Sequence, residues 1–495
     1  MPTSLRGASS PRPTRLFLFA AIALAGLAAL IAVGVFFVVD ANAYKTRLEA
    51  AVSKTLGMDI AIAGPMVVTF SPSLLITLAD VHIRNRGSDI ASAKQAKLGI
   101  QIVPLLTGEV RITSLALSHA RISVERDREG RFNFGPQSPT PSSTQPASQA
   151  EQGAWPALDW PRVSLSDATL VYADKRMAHN IEAVDCRVDM QGLRLPGGSH
   201  STLMKDVSFT AEVACGELRN GAGKLSDLKF AADAKGGVLQ LKPVTLRAFG
   251  AKGAGHLQAD FSGAVPRYQL EASFANVPIQ EFFKALGLKQ TAAGQVDFSA
   301  ALSLQGKTEK ELRLTLAGRV SLRGKNLTLN GSDLDQAFSR FEASQSFSLV
   351  DAGAFFIVGP LGLVLTKGYD FANLYQGAGG SSQIQTLVSD WKIERGVARA
   401  QDVAMATQAN RIALHGGLDF VNEQFDDVTM ALVDAKGCVK VRQKISGSFG
   451  KPVVEKPNLL VSLAGPALSL LKKGGALLLG KECDVFYAGS VAAPG

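Results

Sequence analysis

An uninterrupted apolar run near the N-terminus constrains this chain more than any other feature. From Leu16 to Val39 about 24 residues pass without a charge or a proline, enough to span a bilayer core with some tilt. Arg6, Arg12 and Arg15 precede it with no acidic residue among them. That excess of basic residues holds the short side in the cytoplasm. The expected layout is a cytoplasmic N-terminus over 1–15, a transmembrane anchor over 16–39 and the remaining chain outside the cytosol. The competing reading is a cleaved signal peptide, because Ala41-Asn42-Ala43 has the small-x-small form of a cleavage site. A signal peptide's apolar core is typically only about 7–15 residues long, which favours the anchor. Either way the bulk of the protein crosses the membrane.

The 495 residues suffice for a large core or two domains. A formal charge of +9 comes from interspersed charges of both signs, with aromatics at 7%. No basic stripe or recognition motif is present, so nucleic acid is not an expected partner. Mild attraction to anionic headgroups is in keeping with the charge. In an oxidising compartment the four cysteines, Cys186, Cys215, Cys438 and Cys483, are disulfide candidates. The in-order pairing is the simplest of the three possible connectivities. Zinc is the alternative, but no C-x-x-C spacing occurs and the six histidines are scattered.

After the anchor, Tyr44, Leu48, Val52 and Leu56 recur at four-residue spacing before Gly57, which predicts an amphipathic helix over 43–56. From Ile60 the period becomes two, as in Ile60 and Ile62, Ile76 and Leu78, and Leu98, Ile100 and Ile102. Such alternation gives strands with one apolar and one polar face. Pro136, Pro139, Pro141 and Pro146 lie among Ser, Thr and Gln, and this stretch is expected to be a linker. Alternation then resumes, notably at Phe298, Ala300 and Leu302 and at Leu312, Leu314 and Leu316. Turn signals every eight to twelve residues suit a long antiparallel meander.

Three short helices are expected to interrupt the strands and to plug the sheet's ends or open side. One follows Asn276 and Pro278 with Ile279, Phe282, Phe283 and Leu286 on one face; one begins near Ser332 or Asp333 with Leu334, Phe338 and Phe341; one begins at Ser381 with Ile384, Leu387 and Val388. The apolar tail Asn458–Gly480 is broken by Pro466, Lys472, Lys473, Gly474 and Gly475. It reads as a capping or interfacial helix pair rather than a second span.

No catalytic constellation emerges. Gly475 to Lys481 has phosphate-loop spacing, but Glu482 stands where the Ser or Thr that binds magnesium belongs. Asp167, Asp174 and Asp185 read as turn formers, and so does His415 beside Gly416 and Gly417. No enzyme activity, metal or cofactor is expected.

Gly57–Pro65, Phe70–Leu74 and Leu78–Val81 resemble the start of the AsmA family. Pro104–Val110, Ser118–Asp127 and Gly130–Asn133 resemble the segments that follow it, and Ser164–Asp174 resembles a matching repeat. Gly437-Cys438, Gly447–Pro452 and Cys483–Gly489 are similar to the family's C-terminal region. The resemblance implies an inner-membrane-anchored periplasmic protein of the Gram-negative envelope, linked to outer-membrane biogenesis and phospholipid movement. It also implies a mainly β fold with a single N-terminal transmembrane helix: a long antiparallel sheet curled into an open apolar trough, with short capping helices. The divisions expected are an N-terminal β domain over 40–134, a Pro/Ser-rich linker over 135–158, a second β region over 159–456 and a helical, apolar cap over 457–495.

Burial of acyl chains at about 0.8 kcal/mol per methylene needs no polar headgroup pocket. Leu312, Leu314, Leu316, Phe298 and Leu302 are the candidate groove residues, and phospholipid acyl chains and the inner membrane are the expected partners. Roughly 25 strands at about 4.8 Å would extend roughly 120 Å, so self-association or envelope protein partners would be needed to bridge further. The alternative function is a non-enzymatic structural or assembly factor for the outer membrane and its proteins, with the apolar face filled by the chain's own side chains.

Overall fold

A computed structural model describes Lys45, Thr46, Glu49, Ala50 and Ser53, then 58–455, then Cys483 and 485–494. Within 58–455 it leaves aside 71–73, 86, 107–110, 129–131, 134–156, 176–178, 197–202, 221–222, 286–291, 331–332 and 337–379. The expected anchor over 16–39, nearly all of the linker, the apolar side of the first helix, Phe338, Phe341 and the tail Asn458–Gly480 lie outside the described residues.

The described residues contain 21 strands in one sheet. The first half comprises β1 (Asp59–Ile62), β2 (Met66–Phe70), β3 (Leu74–Asn85), β4 (Ser88–Ile100), β5 (Ile112–Arg126), β6 (Leu158–Asp174), β7 (His179–Leu195), β8 (Ser208–Asn220), β9 (Gly223–Lys235), β10 (Val238–Ala248) and β11 (Ala251–Asp260). The second comprises β12 (Arg267–Pro278), β13 (Ala292–Ala293), β14 (Gln295–Gln305), β15 (Ala317–Asn330), β16 (Ser381–Glu394), β17 (Val397–Ala406), β18 (Arg411–Asp419), β19 (Gln424–Val433), β20 (Val439–Ser448) and β21 (Lys451–Val454). Short helices α1 (Ile102–Leu106), α2 (Leu203–Asp206), α3 (Ile279–Ala285) and α4 (Glu309–Thr315) sit at strand ends.

Most strands pair with their sequence neighbours, so the sheet is largely a meander, while β12 passes over β13 to pair with β14. β1 and β2 share the free edge of β3, and β13 and β14 share the edge of β15. Counting each of those pairs as one step leaves about 19 ladder positions, or roughly 85 Å at about 4.8 Å per step, shorter than expected.

The ladder is open and uncurled in its pairing, and it is mixed rather than wholly antiparallel. β5 and β6 run parallel, with Leu117 opposite Leu165 and Ile122 opposite Leu170. A tight hairpin cannot make that junction; the long chain between Arg126 and Leu158 can. Both β regions therefore belong to one sheet. Asn133 locks the junction where β5 outruns β4: its side chain accepts from the Glu125 amide (3.0 Å) and donates to the Ser123 carbonyl (2.8 Å).

The exposed edge of β1 is also managed. Its amides at Ile60 and Ile62 donate to Ser53 Oγ (3.0 Å) and Glu49 Oε1 (2.7 Å), and Lys45 Nζ donates to the Gly64 carbonyl (3.3 Å). Lys45, Glu49 and Ser53 recur every four residues in a helical stretch. One polar helix face thus satisfies donors that would otherwise template another strand.

Two expected elements change type. Leu312 and Leu314 lie in α4, and Leu316 is its C-cap, so none is on a strand. Thr308 caps α4 by accepting from the Glu311 amide, and Arg313 pairs with Glu309 at i,i+4 (2.8 Å). These local terms outweigh the alternation of leucines. Conversely, Ser381–Glu394 is strand β16 rather than a helix, because it lies between β15 and β17 with both edges paired. The helix after Pro278 forms as α3, and Leu334 is helical as expected.

Candidate functional site

Register places one residue type on each face of the sheet. A continuous row runs Leu78–Ala96–Leu117–Leu165–Val188–Val213–Phe230–Val244 across β3 to β10. It continues as Gly255–Ala272–Ala300–Val320–Trp391 across β11, β12, β14, β15 and β16. The opposite face carries Gln191–Thr210–Asp233–Gln240–Gln258–Gln269–Ser303. Period-two sequence becomes a two-faced surface because partners in a ladder point the same way.

A repeated irregularity keeps the apolar residues on that one face. Asp80, His119, Asp167, Asp185 and Asp227 have φ between 51° and 55° in the middle of β3, β5, β6, β7 and β9. Each follows an apolar residue by two positions and precedes another, as in Leu78-Ala-Asp-Val81, Leu117-Ser-His-Ala120 and Leu165-Ser-Asp-Ala168. The extra residue shifts the alternation by one, so the apolar spacing is three at that point and both apolar residues keep the same face. Asp and Asn reach the left-handed region at lower cost than other residues with a Cβ. The sequence signal was therefore the four-residue pattern apolar-x-Asp/Asn/His-apolar, which recurs at Phe274–Val277, Gly324–Leu327 and Phe425–Val428 with φ of 54°, 52° and 49° at Asn276, Asn326 and Asp427.

Asp167 and Asp185 are accordingly mid-strand bulges, not turns. Asp174 is a buried strand end beside Arg126 (3.6 Å), with the Tyr172 hydroxyl donating to it (3.3 Å). His415 is likewise in strand β18, beside a register shift at Gly416, where φ is 107°.

The bulges form a crease. Beside it lie the small residues Ala93, Ala120, Ala168, Cys186 and Cys215, all buried, with Leu117, Ile122, Leu170, Met190 and Val213 packed around them. Cys186 and Cys215 face each other on β7 and β8 as a disulfide, with Cα atoms 4.0 Å apart, and Cys438 pairs with Cys483 at 5.9 Å. The in-order connectivity holds.

Cover on the apolar face differs along the sheet. Through β9 to β14 the larger side chains Phe230, Leu257, Phe274, Phe298 and Leu302 are partly exposed, and Leu270 is 38% exposed. Phe298 and Leu302 lie on this face, half-buried against the edge of the core that includes Trp391, while Leu312, Leu314 and Leu316 do not share its strands. Near α2 the face ends in an apolar cavity of about 230 Å³ lined by Leu193, Leu195, Met204, Phe209, Ala234 and Leu239. From β15 to β20 the same face is closed: Leu387, Trp391, Met405, Leu414 and Met430 are each at most 2% exposed.

The other face of this C-terminal part is covered by a strap over 485–494, which is irregular rather than helical. Tyr487 and Val491 pack on Ala404, Ala406, Ala413 and Ala431. Arg411 donates to the Val491 and Asp434 carbonyls (3.0 and 2.6 Å), and the Tyr487 hydroxyl donates to Asp402. Burial raises the Asp402 carboxyl, but donors from Ser490 and Tyr487 hold it below its ordinary value. Burial raises the Tyr487 phenol, and the Asp402 carboxylate adds to that shift. His415, stacked on Phe486 at 4.2 Å, is lowered by burial.

Among the described residues no cluster of His, Cys, Asp or Glu suits a metal. Most ion pairs lie at the surface, such as Glu217 with Arg219 and Lys224, whose hydrogen bonds lower the Glu217 carboxyl to about 2. What the arrangement offers is an extended apolar surface with a polar reverse.

No characterised relative and no solved structure matches the chain significantly. The sequence model of the AsmA family matches residues 16–204 and again residues 198–403. With matches spanning most of its length, the chain belongs to the AsmA family.

Proposed function

We propose that this protein is a non-enzymatic lipid-handling component of the bacterial envelope, anchored in the inner membrane by 16–39 with its sheet in the periplasm. Phospholipid acyl chains lie on the apolar face while headgroups stay in water. The observation that carries this reading is the partly exposed apolar face across β9 to β12, where Phe230 and Leu257 are half-buried and Leu270 is 38% exposed. Exposed apolar side chains grouped on one face of a sheet are a mark of a binding surface. Membership of the AsmA family supports the envelope setting. The aligned bulges keep the apolar residues of long strands on one face, which supports a continuous apolar surface.

Lipids copurifying with the full chain test the reading by mass spectrometry. Bound phospholipid is expected in the native protein, with loss in Leu270→Asp and retention in Leu314→Asp, whose side chain is exposed on α4. A folded native protein without lipid would overturn the reading in favour of an assembly factor.

A further inference from the structure

We infer that the apolar face is a blind groove: acyl chains enter and leave along β9 to β12, and the β15–β20 end is a stop filled by the protein's own side chains. The inference rests on the lipid-handling reading and limits it, because a lipid cannot run the length of this sheet and leave at its C-terminal end. The floor of the face decides where the stop begins. Along one row Gly255, Ala272 and Ala300 are half-buried, Val320 is 5% exposed and Trp391 closes the row at 2%.

The closed part is also satisfied within itself. The indole Nε1 of Trp391 donates to Ser389 Oγ (2.8 Å), and the Leu334 amide donates to Ser382 Oγ (2.7 Å). Both serines are at most 3% exposed. Buried polar groups that already have partners give water and lipid headgroups no foothold. Leu334 and Ile279 of α3 join this core from outside the strands, tying it together at the boundary with the partly exposed section.

Photo-leucine, close to leucine in size, can be incorporated throughout the full chain. The labelled protein is equilibrated with vesicles of phosphatidylethanolamine and phosphatidylglycerol, irradiated, and its lipid adducts mapped by mass spectrometry. Adducts are expected at Leu257 and Leu270 and absent at Leu387, Leu414 and Leu432. Comparable adducts in both sets would overturn the stop and leave lipid binding intact. Adducts in neither set would remove the lipid-handling reading and the stop with it. An unchanged thermal unfolding midpoint shows that labelling leaves the core in place.

Discussion

His119 and Asp167 occupy equivalent places in the parallel strands β5 and β6, and each has a φ of 51°. Around them Leu117 faces Leu165, Ser118 faces Ser166 and Ile122 faces Leu170. The two segments thus share register, bulge and chemistry, as expected for two copies of one structural unit laid side by side. The bulge is what both copies need, because it lets long strands bend while their apolar residues stay on one face.

A β-branched residue at the bulge should be costly. Asp167→Val is expected to destabilise by about 1–2 kcal/mol, the penalty for left-handed backbone, whereas Asp167→Asn and Asp167→Gly should be nearly neutral. Thermal unfolding of the three variants checks this ranking.

The Cys186–Cys215 disulfide closes a sequence separation of 29 residues. Loop-closure entropy gives an upper limit of about 3–4 kcal/mol for its contribution. Replacement of both cysteines by alanine should lose up to that amount. Replacement by two serines should lose more, because hydroxyls would enter a buried row otherwise made of alanines. Chemical denaturation midpoints of the two double variants separate these effects.

Arg411 is 6% exposed and donates to carbonyls of Val491, Asp434 and Ala435. Arg411→Met should leave those acceptors without their charged donor and cost about 1–3 kcal/mol. The loss should be local first, seen as faster hydrogen exchange and proteolysis in 485–494 before the sheet is affected.

The strap should also respond to pH on both sides. The folded pKa of His415 lies below its ordinary 6.5, so its contribution is complete above 6.5 and falls as pH drops through that value toward the folded pKa. The lowered Asp402 adds a further loss at more acidic pH, below its ordinary 3.8. The raised Tyr487 works in the opposite sense: its contribution is present below pH 10.0 and is lost as pH rises beyond it. Proteolytic resistance of 485–494 should therefore be greatest between about pH 7 and pH 10. His415→Phe should keep the stack on Phe486 and remove the loss near pH 6.

Sequence by itself determined the apolar and polar faces of most strands, the helix after Pro278, the candidates for disulfide pairing and the family. Alternation and turn residues act locally, so they are legible without a fold. Tertiary structure decided what depends on distant partners. Ile384, Leu387 and Val388 fit a helical stripe as well as a strand, and only their place between β15 and β17 made them β16. Leu312, Leu314 and Leu316 alternate like a strand, yet Thr308 and the Glu309–Arg313 pair close a helix there. The candidate site divides the same way. Phe298 and Leu302 were legible as one strand's apolar face. That this face is partly exposed at Leu257 and Leu270 and closed by Trp391 follows from how successive strands stack their side chains, which no single strand's sequence records.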